Sequence, residues 1–358
     1  MRLFYFINII WLFFLVNCTS PGEQSDTKVT VASKWIEDLM DEQKIPGISI
    51  AVSKGDSIIW AAGFGHADLE NNIAVTTKTK FRIGSISKTL TASALAQLYE
   101  QGKIDLDDEI QTIYPEFPRK RWPFTTRQLA GHLGGVRHYK GNEFLIRDRY
   151  NSVKEGLVLF ENDSLLHQPG TKYRYSSHAW NLISAIMEES AKQDFLSLID
   201  DMVFDKLNLK NTVPDFTDSL ISDKTRFYER NEDGKIVNAP YVDNSYKWAG
   251  GGFLSNAIDV VKFALAHKKG GVLQDETLKE FITSQKTSDG KPTNYGMGFR
   301  LGKDENDRNW YGHTGGSVGG ISVMRIYPEE DIVIVILSNS SDVSYGNLPD
   351  RIVDLFAD

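Results

Sequence analysis

Near the end of the chain, Ile332-Val-Ile-Val-Ile-Leu337 places apolar, mostly β-branched residues in unbroken succession. A strand that is apolar on both faces has to be covered on both, so this segment belongs at the centre of a sheet with helices on either side. Ile321-Ser-Val-Met-Arg-Ile-Tyr327 precedes it across Pro328-Glu-Glu-Asp331, and the two runs form a hairpin. A second hairpin stands near the other end of the chain. There Gly47-Ile-Ser-Ile-Ala-Val-Ser53 and Ile58-Ile-Trp-Ala-Ala62 flank Lys54-Gly55-Asp56. Between the hairpins the apolar residues recur at helical spacing. Leu90, Ala94, Leu95 and Leu98 make one stripe, ended by Gly102; Leu182, Ile183, Ile186 and Met187 make another; Val260, Phe263 and Ala264 a third. Further helices are expected over Val29–Gln43, stopped by Pro46, and over Leu348–Phe356. The pattern therefore calls for one sheet built from distant segments with an inserted helical lobe, and for a binding cleft between the two.

At 41% hydrophobic and 25% charged residues, the 358-residue chain has ample apolar mass for a core. Its net charge of -8 argues against a phosphate-coated partner such as nucleic acid. There is no basic run, no Cys-x-x-Cys and no His-Glu-x-x-His, so neither a structural zinc nor any other metal is expected. The N-terminus has a different character. Arg2 is followed by Leu3 to Val16, apolar but for one Asn, which suits the hydrophobic region of a signal peptide better than a span of about 20 residues. The run ends in Leu15-Val16-Asn17-Cys18, and Cys18 is the only cysteine. This resembles the lipobox of bacterial lipoproteins, in which the cysteine is lipidated and becomes the mature N-terminus, although Asn17 stands where a smaller residue is usual. A plain signal peptide or an uncleaved anchor with an incidental cysteine fits the same letters. The lipobox reading makes 1–17 a signal peptide, 18–28 a polar tether on a lipid anchor, and 29–358 the folded domain. It implies an exported protein held on a membrane, facing the periplasm or the cell exterior.

The tetrad Ser-x-x-Lys begins at Ser25, Ser85 and Ser288, so context has to choose among them. Ser25 lies in the tether and Ser288-Asp-Gly-Lys291 is a turn. Only Ser85 follows a strand-like stretch, Phe81-Arg-Ile83, and Gly84, and opens a long amphipathic helix. On a helix Lys88 can reach the Ser85 hydroxyl, and a lysine made neutral by burial or nearby positive charge can take the hydroxyl proton. The helix N-terminus would aim free N–H groups at a reacting carbonyl. A Ser N-cap followed by an ordinary surface Lys fits these residues alone.

Two later segments bear on the choice. Tyr175-Ser176-Ser177 gives Tyr-x-Ser ahead of an apolar helix, and Tyr311-Gly-His313-Thr314-Gly315-Gly316 precedes the last hairpin. The order Ser-x-x-Lys, Tyr-x-Ser/Asn, Lys/His-Thr-Gly resembles the penicillin-recognising serine enzymes, which include class C β-lactamases, DD-peptidases and related esterases. The segments Ile45-Pro46-Gly47, Arg82–Lys88, Gly131-His132-Leu-Gly-Gly-Val-Arg-His138-Tyr139 and Pro240–Ser255 are similar to the branch of the β-lactamase-like serine protease of animal mitochondria. The resemblance covers nearly all of the chain after the tether.

It implies an α/β (α+β) fold, an antiparallel sheet flanked by helices with an all-α lobe inserted at roughly 89–248. It also implies a serine hydrolase without cofactor, acting on a small peptide or ester. Ser85 would form an acyl-enzyme, with Lys88 and Tyr175 shuttling its proton. The N–H groups of Ser85 and Gly316 would form the oxyanion hole. Ser177, His313, Thr314 and Gly315 would bind substrate. Ser177 stands where Asn is common, and His313 replaces a lysine, which disfavours efficient β-lactam hydrolysis. A peptidase is the first expectation. A D-amino-acid peptidase, DD-carboxypeptidase or carboxylesterase is the alternative, and a binding protein that keeps the fold without turnover is the rival from another class.

Several motifs are set aside. Gly315-Gly-Ser317-Val-Gly319 matches a nucleophile elbow in letters but precedes a strand rather than a helix. Gly250-Gly-Gly252 lacks a phosphate-loop ending and is read as a tight backbone approach beside the site. His132 and His138 are assigned structural hydrogen bonds rather than a metal. His66, His167, His178 and His267 have no companion that marks a function. Tyr241, Tyr246 and Trp248 either line the cleft or pack beside it.

Overall fold

The computed structural model describes residues 21–268 and 271–357. The expected signal segment and Cys18 lie outside the described residues. In chain order the strands are β1 (Gly47–Lys54), β2 (Ser57–Asp68), β3 (Ile73–Ala74), β4 (Phe81–Arg82), β5 (Val213–Pro214) and β6 (Tyr228–Arg230). They continue with β7 (Ile236–Asn238), β8 (Phe253–Ser255), β9 (Arg300–Lys303), β10 (Asn309–Ser317), β11 (Gly320–Tyr327) and β12 (Ile332–Ser338). The helices are α1 (Pro21–Gln43), α2 (Ser87–Glu100), α3 (Ile110–Ile113), α4 (Thr126–Ala130) and α5 (Ser177–Ala191). After them come α6 (Phe195–Ile199), α7 (Trp248–Gly251), α8 (Ala257–Lys268), α9 (Asp275–Phe281) and α10 (Leu348–Ala357).

Seven strands form the main sheet in the order β3-β2-β1-β12-β11-β10-β9. The all-apolar β12 is its middle strand and is buried throughout. Because successive side chains alternate, Ile332, Ile334 and Ile336 enter one core with Ala32 and Ile36 of α1 and Ile352, Val353 and Phe356 of α10. Val333, Val335 and Leu337 enter the other with Val260, Val261 and Phe263 of α8. Antiparallel pairing of β1 with β12, from Ile48 opposite Ser338 to Lys54 opposite Ile332, joins the two sequence hairpins into one sheet.

Three expectations need correction. Helix α1 begins at Pro21, inside the segment read as a tether, so 21–28 are helical. Proline fits there because a first-turn residue needs no N–H partner. Helix α2 is not amphipathic in its setting: every residue from Ser87 to Leu98 is buried. Its small hydroxyl residues turn back on the backbone; Thr91, for example, donates to Ser87 O and Ala249 O. The inserted lobe is not all-α, because β5, β6 and β7 fall within 89–248. Strand β5 joins β8 and β4 in a small sheet, β4-β8-β5, which ties the lobe to the strand leading into Ser85.

Ile336→Ala should lower stability by about 2–5 kcal/mol, the range for emptying a large buried aliphatic position. In urea denaturation the midpoint should fall with little change in slope; an unchanged midpoint would mean that β12 does not nucleate the two cores.

Candidate active site

The site is assembled where the turn that follows β4, Gly84–Ile86, meets β10. After Arg82 the chain turns through Gly84 at φ +48°, and a Cβ there would stand 2.8 Å from both the N and the O of Gly316. Only glycine combines that conformation with so close an approach. Ser85 sits in a short 3₁₀ turn, Gly84–Ile86, directly before α2. Arg82 braces the approach: it donates from Nε to Asp215 Oδ2 at 2.7 Å and from Nη1 to Val318 O at 2.8 Å, in the β10–β11 turn.

One turn along, the Lys88 Nζ is 2.9 Å from Ser85 Oγ, 3.0 Å from Ser177 Oγ and 2.5 Å from Gly250 O. The Tyr175 hydroxyl lies 2.9 Å from the same Ser85 Oγ. Lys88 is 0% exposed, and its pKa is driven far down by burial first, then by Lys247 and Arg300. A neutral amine has two N–H donors and one lone pair. Gly250 O can only accept, Ser177 Oγ takes the second N–H, and the lone pair is left for the Ser85 hydroxyl. Burial raises the Tyr175 phenol to about 12, against the pull of its bond to Ser85 and of Arg300. The phenol therefore keeps its proton near neutrality.

Two histidines hold the Tyr-x-Ser segment. His132 Nδ1 accepts from the Ser176 N–H at 3.2 Å, and His138 Nδ1 accepts from the Ser177 N–H at 3.1 Å. Ser176 caps α5 by accepting from Ala179 N–H. An imidazole nitrogen that accepts is unprotonated, and burial followed by Lys88 keeps both rings so, with His138 pushed down to about 4 and His132 held well below the ordinary imidazole range. Both histidines therefore serve structural hydrogen bonds, as read from the sequence. His178 proves to have a partner after all, Glu143 at 3.0 Å.

On β10 the exposure alternates: Thr314 and Gly316 are open, His313 and Gly315 buried. The open positions of this stretch are therefore Thr314 and Gly316, while the His313 side chain and Gly315 face inward. The His313 ring is fully enclosed, its Nε2 3.0 Å from Tyr295 Oη and its Nδ1 2.6 Å from Thr314 O. Burial, then Lys88 and Arg300, hold it neutral. A Cβ on Gly315 would overlap Ile83 O and Ser322 Oγ, so what this glycine supplies is room.

The other motifs fall into place. Ser317 ends a strand that turns directly into another strand, and its hydroxyl is buried. Ser288–Lys291 lies in a turn closed by Thr287 N–H to Lys291 O. The Gly250–Gly252 stretch is the expected close approach, with a Cβ at Gly250 falling 3.1 Å from Ser177 O. Tyr246 and Trp248 are packing residues, whereas Tyr241 is exposed. Two cations near the site carried no signal in the sequence. Arg300, opposite Gly312 across β9 and β10, lies 5.4 Å above the Tyr175 ring, with its Nε buried and unbonded. Lys247 is buried just ahead of α7. Among the described residues no group of side chains could hold a metal ion.

The beta-lactamase family profile matches residues 32–356. The chain belongs to that family of serine hydrolases. It is 32% identical to the human "Serine beta-lactamase-like protein LACTB, mitochondrial", over 82% of this chain and 70% of that protein. Among solved structures it is similar in fold to the octameric penicillin-binding protein homologue from Pyrococcus abyssi. That pair has a TM-score of 0.78 and 24% identity over 92% of this chain and 76% of the other. It is also similar to the D-amino acid amidase from Ochrobactrum anthropi SV3, with a TM-score of 0.79 and 21% identity over 91% and 98%.

The buried histidines make this beta-lactamase family member acid-sensitive. His138, His178 and His267 are each pushed by burial to about 4, below the ordinary value of about 6.5. Between those limits the unfolded chain binds more protons, so stability is full above the upper limit and is lost as pH falls toward the lower. Tm should drop from pH 7 to pH 5. His267→Gln, at a site bonded to Phe263 O and Ser93 Oγ on the far part of α2, should flatten that drop; an undiminished pH slope would show that His267 does not contribute.

Proposed function

We propose that the chain is a serine peptidase that works through an acyl-enzyme on Ser85. The observation that carries this reading is the Ser85 hydroxyl held 2.9 Å from both a buried amine and the phenol of a half-buried tyrosine. Ser85 attacks the carbonyl carbon while its proton passes to Lys88. The developing oxyanion is received by the backbone N–H groups of Ser85 and Gly316, whose chains approach each other across Gly84. Lys88 is the base because it is neutral at rest, and Tyr175, which retains its proton, relays a proton to the leaving amine. Water then enters by the reverse path and frees the acid.

A peptide is favoured over a simple ester by the edge of β10. Strand β9 covers only Asn309–Gly312, whereas β10 runs on to Ser317. The uncovered stretch, with Thr314 facing outward, can take an extended substrate backbone as an added strand. A second reading, carboxypeptidase action, is favoured by Arg300, a guanidinium above Tyr175 that makes no ion pair among the described residues and suits a terminal carboxylate.

A fluorophosphonate should label the protein on Ser85. Ser85→Ala should abolish labelling, and Lys88→Ala should slow it by roughly 10²–10⁴-fold, the usual weight of a general base, with an unshifted melt. Labelling that persists in Ser85→Ala would move the nucleophile elsewhere. Turnover of peptide acids over peptide amides, reduced in Arg300→Gln through KM, would select the carboxypeptidase reading.

We also propose export and lipid attachment at Cys18, supported by the lone cysteine after an apolar run. Cells given labelled palmitate should incorporate it into the protein but not into Cys18→Ala, and only the latter should appear in the soluble fraction; a palmitate-free, membrane-bound Cys18→Ala would point to an uncleaved anchor.

A further inference from the structure

His132 is held under three unfavourable conditions. Its backbone is left-handed, at φ +60°, where a residue with a side chain is seldom found. It is 1% exposed. Because Nδ1 accepts from Ser176 N–H, the one proton of the neutral ring sits on Nε2, which has no hydrogen-bond partner among the described residues. Costs of this kind persist where the surrounding structure imposes them, and they cluster at functional sites. What His132 holds is Tyr175. That residue lies in neither helix nor strand, and His132 grips the chain on both sides of it. The His132 carbonyl accepts from Arg174 N–H at 2.9 Å, and its Nδ1 accepts from Ser176 N–H at 3.2 Å. The imidazole also lies against two phenol rings, its centre 4.3 Å from that of Tyr175 and 4.5 Å from that of Tyr295. The supports are themselves fixed. His313 Nδ1 gives its proton to Thr314 O, so its Nε2 accepts from Tyr295 Oη at 3.0 Å. His132 N–H donates to Leu129 O in α4, a helix whose start is closed by the capping box of Thr125 and Gln128.

We propose that His132 is a positioning residue for the Tyr175 phenol, and through it for the proton delivered to the leaving group. The proposal rests on the reading of Tyr175 as the relay to the leaving group. To act so, the Tyr175 hydroxyl has to keep its place 2.9 Å from Ser85 Oγ while it meets the departing atom. A displacement of about 1 Å at such a point costs on the order of 10²-fold in rate. Histidine suits the task because one side chain offers a flat face to the phenol and an in-plane acceptor to a buried N–H. Phenylalanine has the face alone. Asparagine has the acceptor and tolerates the left-handed backbone. Among the described residues His132 bonds neither Ser85 nor Lys88. It is His138 that holds Ser177, the partner of Lys88. Loss of His132 should therefore disturb the relay more than the base.

The test is how the rate of Ser85 labelling depends on the leaving group, in aryl phosphonates of one alkyl chain that run from p-nitrophenyl to phenyl. In each, the Ser85 oxygen bonds to phosphorus, the bond from phosphorus to the aryl oxygen breaks, and the serine proton goes to Lys88. The p-nitrophenolate is stable enough to leave as an anion, whereas the phenolate leaves best with the proton that Tyr175 relays. His132→Phe should slow the phenyl compound by about 10²-fold, the lower end of a general acid's weight, and the p-nitrophenyl compound by less than about tenfold. Log rate against the acidity of the leaving phenol should therefore steepen. His132→Asn, with an acceptor again in place, should recover part of the phenyl rate. An unaltered slope in His132→Phe, whatever the overall rate, overturns the proposal and leaves His132 as a packing residue. Should His132→Phe fail to fold, His132→Met removes the acceptor and gives the same comparison. Tyr175→Phe should steepen the slope as well; a slope that does not change there would overturn the relay itself, so the two failures are distinct.

Discussion

The site depends on one uncomfortable fact, an amine placed where water cannot reach it. Lys88 lies inside a helix that is buried on every side, and its three polar contacts are all supplied by other parts of the chain or by the serine it serves. Desolvation makes the charged form unfavourable, and the neighbouring cations add to that. The same burial that would be a liability in an ordinary core residue disfavours the charged form of this lysine, which is the condition the proposed base requires. Much of the surrounding structure can be understood as maintaining that exclusion. The helix bearing Lys88 is covered by α5, α7 and α9, the Gly250 backbone is pressed against it, and rings close the remaining side.

Holding such a centre requires that distant segments be fixed relative to one another. The Arg82–Asp215 pair shows how this is done. Both partners are buried, and Arg82 also reaches Val318 O while its guanidinium lies 3.9 Å over the Phe227 ring. A buried ion pair is weak evidence for net stability, since desolvation offsets attraction. What it provides here is registry: one side chain joins β4, the β10–β11 turn and the segment after β5, which are the pieces that set Ser85 against Gly316.

The part of this arrangement legible in the sequence is the part governed by short-range rules. Six apolar residues at 332–337 implied a central strand, and β12 is that strand, buried on both faces. The Ser85–Lys88 spacing implied a shared helical face, and Tyr175 and Ser177 arrive at the same point because their motif opens α5. Illegible were the contacts that arise only when segments far apart in sequence meet. Nothing near Arg300 announces that it will lie on Tyr175, since a strand arginine is ordinarily solvated. Lys247 looks like any lysine in a loop. The enclosure of His313 follows from strand alternation: with Thr314 facing out, its neighbour must face in. The helical start of α1 was hidden because polar, turn-prone residues at 21–28 obscure what Pro21 begins.

The displacement of positive charge is the feature that gives this family member its own character. A lysine in the third motif would put an ammonium on β10 itself. Here that position holds His313, enclosed and neutral, bonded to Tyr295. Two cations stand around the centre instead, on β9 and ahead of α7, and they approach it from different sides. Arg300 lies over the phenol, next to the uncovered edge of β10, where it can meet a substrate group. Lys247 is buried ahead of α7, with its amine against the Phe144, Tyr246 and Tyr139 rings.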